Sequence, residues 1–199
     1  MKLQMLILLM VSNVCQAQYS NHQLYQAYSE RDMTVWEEYI ASAKWDSLTV
    51  EEQKQLLNYE YGFTAYILGQ DIAKAESLVA IYEQHLEALR NELSEARYCA
   101  YLSSIYTYKM ALDKAHFMSH AKKLFASIKR AMELDSNDAL VLSMMGNVEF
   151  YNPFGSKKKA LEYFQKADSL YGVSAEEYEM WNHAAVKMNI EQCKDKLGK

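Results

Sequence analysis

Residues 138–151 of this 199-residue chain read DALVLSMMGNVEFY, an apolar helical pattern with a glycine inside it. Residues 55–68 read QLLNYEYGFTAYIL and carry a glycine in a similar position. A glycine inside a helix costs about 1 kcal/mol relative to alanine, so a helix that keeps one usually needs another element to approach closely. A turn and a second helical pattern follow each segment. Gly62 and Gly146 therefore predict repeated helical hairpins.

The rest of the chain is also helical in pattern. Pro153 is the single proline and few stretches alternate with a period of two, which predicts an all-α protein. Between Lys109 and His120 the pattern loosens, and we expect a longer excursion there. The hydroxyls of Thr34 and Thr49 precede glutamates by three residues, as in a capping box, and Ser94, Asp138, Ser156 and Ser174 are further N-cap candidates. The predicted helices span residues 20–30, 34–45, 50–68, 71–91, 94–112, 119–134, 138–151, 156–170 and 174–196.

The N-terminus has the features of an export signal. Lys2 supplies a positive start, residues 3–11 are nearly all apolar, and small side chains stand at the expected cleavage point after Ala17. This apolar run is about ten residues long, whereas a membrane-spanning helix needs roughly 20. Cys15 raises the alternative of lipidation, but Val14 replaces the small residue expected before a lipidated cysteine. We predict a signal peptide over residues 1–17 and an exported mature chain over residues 18–199.

Charge and cysteine content narrow the classes of function. Removal of the signal takes the net charge from −5 to −6, because that segment contains one lysine and no acidic residue. A mildly acidic chain offers no basic face for nucleic acid. Cys99 and Cys193 remain, far apart in sequence and in different helical patterns. We expect two packed thiols rather than a disulfide.

Residues 135–171 carry the clearest repeat unit. The segment resembles a tetratricopeptide repeat (TPR), a helical hairpin of about 34 residues. A second match covers residues 55–89, and a third, weaker match begins at residue 102 and ends in the sequence AMELD at residues 131–135. In the clearest unit the matching residues are Leu142, Met145 and Gly146 in the first helix and Ala160, Phe164 and Ala167 in the second. The turn between these two helices is about two residues longer than the consensus.

The resemblance implies a stack of about three hairpins with a capping helix at each end. The repeat-like segments are 50–91, 94–135 and 137–171, within one domain of residues 18–199. Small exported TPR proteins of Gram-negative bacteria look similar, which implies a periplasmic or outer-membrane-associated interaction module without catalytic residues. A C-terminal helix over 174–197 would cap one end through Tyr178, Trp181, Ala185, Met188 and Cys193, and Trp36, Tyr39 and Ile40 would cap the other.

Tyrosine is abundant, with 16 in the chain. By the repeat register, the residues on the inner face of the array are Tyr59, Phe63, Tyr66, Tyr108 (or Tyr101), Asn147, Phe150 and Tyr151. Amphipathic rings suit peptide or sugar binding, although rings in these positions also fill a tight superhelix. We predict a non-enzymatic module, without metal or cofactor, that binds a protein or peptide partner in this groove as part of an envelope or outer-membrane complex. The alternative is a glycan-binding accessory protein of an outer-membrane uptake system.

Three polar clusters contain residue types found in metal, anion-binding or catalytic sites, but we assign each of them a structural or solvent-exposed role. Asp113, His116 and His120 have helical spacing suited to zinc but lack a further ligand, so we expect solvated loop histidines. Residues 155–159, GSKKK, open a helix as an anion site would, yet they lack the Walker pattern and predict a solvated face. The acidic pairs at 51–52 and 176–177 are first turns of helices rather than a hydrolase dyad.

Overall fold

The chain forms an array of α-helices in a computed structural model that describes residues 19–198. The predicted signal peptide lies outside these residues. Across residues 19–198 there is no strand, and no helix has both the length and the apolarity that a bilayer crossing requires. In chain order the α-helices are α1 (Asn21–Glu30), α2 (Thr34–Ser42), α3 (Val50–Ile67), α4 (Ile72–Ala88), α5 (Glu95–Leu112), α6 (Phe117–Leu134), α7 (Ala139–Tyr151), α8 (Lys157–Ser174) and α9 (Met180–Leu197).

Local capping sets most helix starts. The capping box at Thr49 is confirmed, because the Thr49 amide donates to Glu52 Oε2 at 2.8 Å while the Thr49 hydroxyl accepts from the Glu52 amide. Ser94, Asp138 and Ser156 cap α5, α7 and α8 as predicted. These side chains satisfy amide groups that the first turn leaves without a partner inside the helix.

Two predicted caps are wrong. Thr34 is the first residue of α2 rather than its cap, and its amide donates to Asp32 Oδ1 at 3.2 Å. Ser174 is the last residue of α8. The next start signal is Glu176, which forms a capping box with Glu179 around a one-turn 3₁₀ helix that precedes α9. In both places a nearby carboxylate takes the role that the sequence assigned to a hydroxyl.

The predicted excursion between Lys109 and His120 is also wrong. Helix α5 continues to Leu112, and a single 3₁₀ turn over Lys114–His116 leads directly into α6. Asp113 makes this tight connection, because its carboxylate accepts from the His116 amide at 3.2 Å. Asp is well suited to such a turn, since its short side chain reaches the backbone a few residues ahead.

Three hairpins, α3/α4, α5/α6 and α7/α8, pack in chain order. The close approach predicted at Gly146 is confirmed: a Cβ there would lie 2.6 Å from Phe164 Cε1, a ring atom on α8. Phe164 is fully buried, and it fills the space that the missing side chain leaves between the two helices. A larger residue at position 146 would therefore separate α7 from α8.

The close approach at Gly62 is confirmed as well, but its partners come from outside the hairpin. A Cβ at Gly62 would lie 2.6 Å from Trp181 Cη2 on α9 and 2.8 Å from Trp36 Cζ3 on α2. The C-terminal helix was expected to cap one end of the array. It packs on α8, but it also reaches back to α3, where Asn58 Nδ2 donates to Asn182 Oδ1 at 2.8 Å. Helix α9 therefore closes the array against its N-terminal part.

The inward side of α9 differs in part from the predicted one. Trp181 and Cys193 are buried as expected, whereas Met188 is half-exposed. Val186 and Ile190 take inward positions instead, against the α8 side of the core. Both remaining cysteines are free thiols, as predicted, because Cys99 packs in the cluster around α5 while Cys193 is buried between α8 and α9.

Candidate functional site

Four of the predicted groove residues are buried in the core: Tyr59, Phe63, Tyr108 and Phe150. Tyr59 makes an edge-on contact with Trp36 of α2, with ring centroids 4.8 Å apart. Burial raises the pKa of its phenol well above the ordinary value. These four side chains do not form an open groove, because Tyr59 and Phe63 pack in the cluster around Trp36 and Trp181, whereas Tyr108 and Phe150 are buried in the other two core clusters.

Asn147 is half-buried and holds the chain's own C-terminal helix. Its Oδ1 accepts from Asn189 Nδ2 on α9 at 3.1 Å. The space that remains beside it is a slot of about 20 Å³, lined by residues that include Tyr61 and Trp181. A slot of that size has room for about one water molecule and excludes a peptide or a sugar ring.

Tyr66 and Tyr151 are the two exposed residues of the predicted set. The side chain of Tyr66 is 42% exposed, and that of Tyr151, at the end of α7, is 67% exposed. Tyr66 stands in the last turn of α3 and lines a cleft of about 450 Å³, a volume in the usual range for small-molecule pockets. Of the predicted groove residues, Tyr66 is therefore the exposed ring that borders a cavity of useful size.

This cleft lies between the α1–α2 turn, α2 and the tip of the α3/α4 hairpin. Its lining residues are Arg31, Asp32, Met33, Thr34, Glu37, Phe63, Tyr66, Ile67, Gln70, Asp71 and Lys74. We refer to it as the Tyr66 cleft. Sequence patterns gave no reason to join these segments, because the α1–α2 turn and the α3/α4 hairpin meet only through tertiary packing.

Local structure fixes the two polar walls of the Tyr66 cleft. Arg31 ends α1 in the left-handed conformation, with φ of 62°, and the Asp32 amide then donates to the Ala27 carbonyl at 2.9 Å. This reversal places Arg31 and Asp32 on the cleft. On the other wall, Asp71 caps α4 by accepting from the Lys74 amide at 3.0 Å. Both walls are therefore held by helix ends rather than by free loops.

The apolar part of the Tyr66 cleft is an aromatic pair. The rings of Phe63 and Tyr66 stack with centroids 6.2 Å apart and an interplanar angle of 28°. Lys74 Nζ lies 5.5 Å from the Phe63 centroid and 2.6 Å from Glu37 Oε1. Met33 adds a buried thioether side chain to the same wall. Phe63 is thus held rigidly beneath the more exposed ring of Tyr66.

Most charged side chains of the Tyr66 cleft already have a hydrogen-bond or ion-pair partner in the protein. Asp32 and Asp71 act as helix caps, and Glu37 pairs with Lys74. Arg31 makes no ion pair with another residue of the range 19–198. The site therefore offers one half-exposed aromatic ring, a buried apolar floor and one uncommitted guanidinium, which can orient and hold a ligand. At the same edge of the cleft, the Thr34 hydroxyl donates to the Asp32 carboxylate.

The remaining sequence candidates serve structure. Asp113 Oδ2 lies 2.8 Å from His116 Nδ1 and 3.4 Å from His120 Nε2, and the hydrogen bond from His116 lowers the pKa of that carboxyl. His116 is exposed, as expected for a loop histidine. His120 differs from the prediction, because it is largely buried on α6 and stacks on Tyr106. Among residues 19–198, no group of three or more His, Cys, Asp or Glu side chains is placed to hold a metal.

The start of α8 is occupied by protein groups. Glu149 Oε2 accepts from the Ser156 amide at 2.8 Å, where an anion would otherwise bind. Lys157 Nζ donates to the Phe150 carbonyl. Lys158 and Lys159 are exposed, in agreement with the predicted solvated face. The acidic pairs at 51–52 and 176–177 stand at helix starts as expected.

Sequence reasoning missed two buried polar clusters. Arg97 bridges Asp138 at 2.6 Å and Glu179 at 2.9 Å, so that it ties α5 to the starts of α7 and α9. Burial raises the pKa of the Glu179 carboxyl. In the second cluster Glu60 lies 2.8 Å from His85 Nδ1. Neither cluster carries a sequence motif, since its members come from separate helices.

Comparison with known proteins identifies a structure of similar fold but assigns the chain to no family. No family model matches the chain, and no match was found among curated proteins. Among solved structures, the chain is similar to the HusA haemophore from Porphyromonas gingivalis, with a TM-score of 0.62 and 14% sequence identity. The superposition covers 91% of this chain and 96% of that one. The two proteins therefore share an all-helical fold over nearly their full lengths.

Proposed function

We propose that this protein is an exported, non-enzymatic binding protein that holds haem or a related tetrapyrrole in the Tyr66 cleft. The observation that carries the proposal is the combination of a half-exposed ring above an apolar floor with an uncommitted Arg31 at its edge. The name of the structural neighbour, a haemophore, supports the choice of ligand class.

The chemistry of the cleft suits a flat ring that carries carboxylates. Tyr66 offers an aromatic face for stacking, and the floor beneath it includes Phe63 and the thioether of Met33. A guanidinium binds a carboxylate through two parallel hydrogen bonds, so Arg31 is the expected partner of a propionate group. Tyr66 also carries a phenol, which is a known haem ligand in other proteins.

Haem titration of the mature protein tests the proposal. We expect a saturable change in the Soret absorbance at roughly micromolar haem. Tyr66→Ala should weaken binding about tenfold, or ~1.4 kcal/mol, because it removes one stacked ring. Arg31→Gln should weaken it by a similar factor through loss of a charge-assisted hydrogen bond. Tyr66→Phe separates the two roles of the ring, since it keeps stacking and removes the phenol.

Tyr151→Ala is the matched control, because Tyr151 is a still more exposed tyrosine outside the cleft. Its haem affinity should equal that of the wild type. Both alanine variants should unfold near the wild-type midpoint, since each ring is partly exposed and lies at the edge of the core. Absence of a Soret change in the wild type, or equal losses for Tyr66→Ala and Tyr151→Ala, would refute haem binding in this cleft.

The sequence suggested two other ligands, a segment of a partner protein and a glycan. Both are compared with haem in the same binding experiments. A TPR-like groove that binds a partner segment would require α9 to leave the inner face, where Asn182 and Asn189 now hold it. A glycan could instead stack on Tyr66, which is the exposed ring of the cleft. Calorimetry with oligosaccharides and with envelope-protein peptides distinguishes these ligands from haem.

A further inference from the structure

The turn between α7 and α8 presents two exposed aromatic side chains. Phe154 is 96% exposed and Tyr151 is 67% exposed. We call this pair the aromatic tip. Solitary exposed apolar residues are common on protein surfaces and need no explanation. Here two rings stand three residues apart, at the end of α7 and in the turn after it, and the exposed Lys158 and Lys159 follow at the start of α8.

The backbone of this turn is held firmly. Asn152 Oδ1 accepts from the Phe154 amide at 3.0 Å, and the Asn152 carbonyl accepts from the Gly155 amide at 2.9 Å. Any Cβ at Gly155 would collide with the Glu149 carbonyl, so the turn depends on this glycine. A side chain on an ordered turn loses little backbone entropy when it binds. The turn therefore holds the backbone that carries the exposed Phe154 side chain.

The charges around the aromatic tip are unequal. Lys158 and Lys159 are exposed and form no ion pair with residues of the described range. Lys157 is tied to the Phe150 carbonyl and lies over the Phe150 ring, 4.6 Å from its centroid. Two acids are near in sequence: Glu149, which accepts from the Ser156 amide, and Glu162, which is exposed on α8. Along residues 149–162 there are three lysines and two acidic residues, in a chain whose net charge is −5.

We propose that the aromatic tip is a docking element for an anionic phospholipid surface. A stable protein interface buries about 1,200–2,000 Å² in total, which is more than a few residues of one turn supply. A bilayer interface makes a smaller demand, because rings need to enter only about 5–10 Å into the headgroup region. Aromatic side chains favour that depth, and lysines beside them attract anionic headgroups.

The resulting binding is weak and oriented. Each lysine near an anionic surface contributes about fivefold to the partition coefficient, the equivalent of ~1 kcal/mol. Insertion of one phenylalanine contributes about tenfold or more. The exposed rings and the two exposed lysines lie within residues 151–159, so both contributions act at one end of the array. The tip thus places the α7–α8 end of the array against the membrane.

Co-sedimentation of the full mature protein with lipid vesicles tests this inference. The vesicles contain phosphatidylethanolamine and phosphatidylglycerol at roughly three to one, with phosphatidylcholine vesicles as the neutral comparison. We expect binding to the anionic vesicles only, and loss of that binding at about 0.5 M salt, because salt screens exposed charges.

Variants assign the binding to the tip. Phe154→Ser should lower the partition coefficient about tenfold, and Lys158→Gln about fivefold. Val173→Ser is the matched control, because Val173 is 88% exposed at the far end of α8, and its partitioning should equal that of the wild type. The proposal fails if the wild type does not sediment with anionic vesicles or if Phe154→Ser binds them as well as Val173→Ser does.

Discussion

Replacement of Gly62 by alanine tests the closure of the array by α9. The new methyl carbon would lie 2.6 Å and 2.9 Å from two ring atoms of Trp181 and 2.8 Å from one of Trp36. Carbon atoms prefer separations of about 3.5–4.0 Å, so both indoles must move by roughly 1 Å. Trp36 and Trp181 also contact each other edge-on with centroids 5.2 Å apart, which leaves them little room to move.

The expected loss of stability follows from two opposing effects. Overpacking by one methyl group in a core costs about 1–3 kcal/mol, and contacts with two rigid rings favour the upper end of that range. Alanine returns about 1 kcal/mol because it is the better helix former. We therefore expect Gly62→Ala to lower the free energy of unfolding by about 1–2 kcal/mol. For a chain of this size the equivalent fall in Tm is about 2–8 °C.

Urea denaturation followed by far-UV circular dichroism measures this loss. Gly69→Ala is the control, because nothing lies within 4 Å of its Cβ position, and its stability should equal or slightly exceed that of the wild type. In a Trp181→Phe background the Gly62→Ala substitution should cost less, because the smaller ring removes the two Trp181 atoms at 2.6 Å and 2.9 Å. If Gly62→Ala is as stable as the wild type, or if its cost is the same in the Trp181→Phe background, α9 does not pack as described.

Two further substitutions address the buried charges. Arg97→Ala leaves the buried carboxylate of Glu179 without its partner and should lower the unfolding free energy at pH 7 by about 3 kcal/mol. Arg130→Ala is the control, because Arg130 and Glu95 form an exposed ion pair, and its expected loss is below about 1 kcal/mol. Equal losses for the two variants would contradict this account. Burial raises the pKa of Glu60, so the folded state holds a proton that the unfolded state has released, and stability contributed by this group falls as pH rises from the ordinary carboxyl value through the raised one. Glu60→Gln removes that dependence, although it also weakens the bond with His85; urea midpoints between about pH 4 and pH 7 should therefore fall more steeply for the wild type, and parallel pH profiles would refute the assignment.

Helix positions follow from local rules, and the sequence predicts them well. The capping boxes and N-caps at Thr49, Ser94 and Asp138 act within three residues, so no tertiary contact is needed to find them. Gly146 is similar, because its partner Phe164 belongs to the next helix of the same hairpin. The loose pattern after Lys109 misled because a single aspartate, rather than a long loop, makes the connection.

Tyr59 and Tyr66 show where local pattern stops being informative. They stand seven residues apart on α3, so the helical period places both on one face. Yet Tyr59 is buried beneath Trp36 while Tyr66 stays half-exposed in a cleft. The difference depends on which element covers each turn of α3, and periodicity carries no information about that.

The position of α9 on the inner face of the array is the clearest example of a feature that only tertiary structure decides. The amides of Asn58 and Asn182 are joined across 124 positions of the chain, and neither side chain belongs to a recognisable motif. Composition and period predict that α9 is a helix with one apolar side. They cannot predict that Trp181 enters the space over Gly62, because that contact exists only after three hairpins have stacked and curved. Helix formation depends on neighbours along the chain, whereas closure of the array depends on shape complementarity between its two ends.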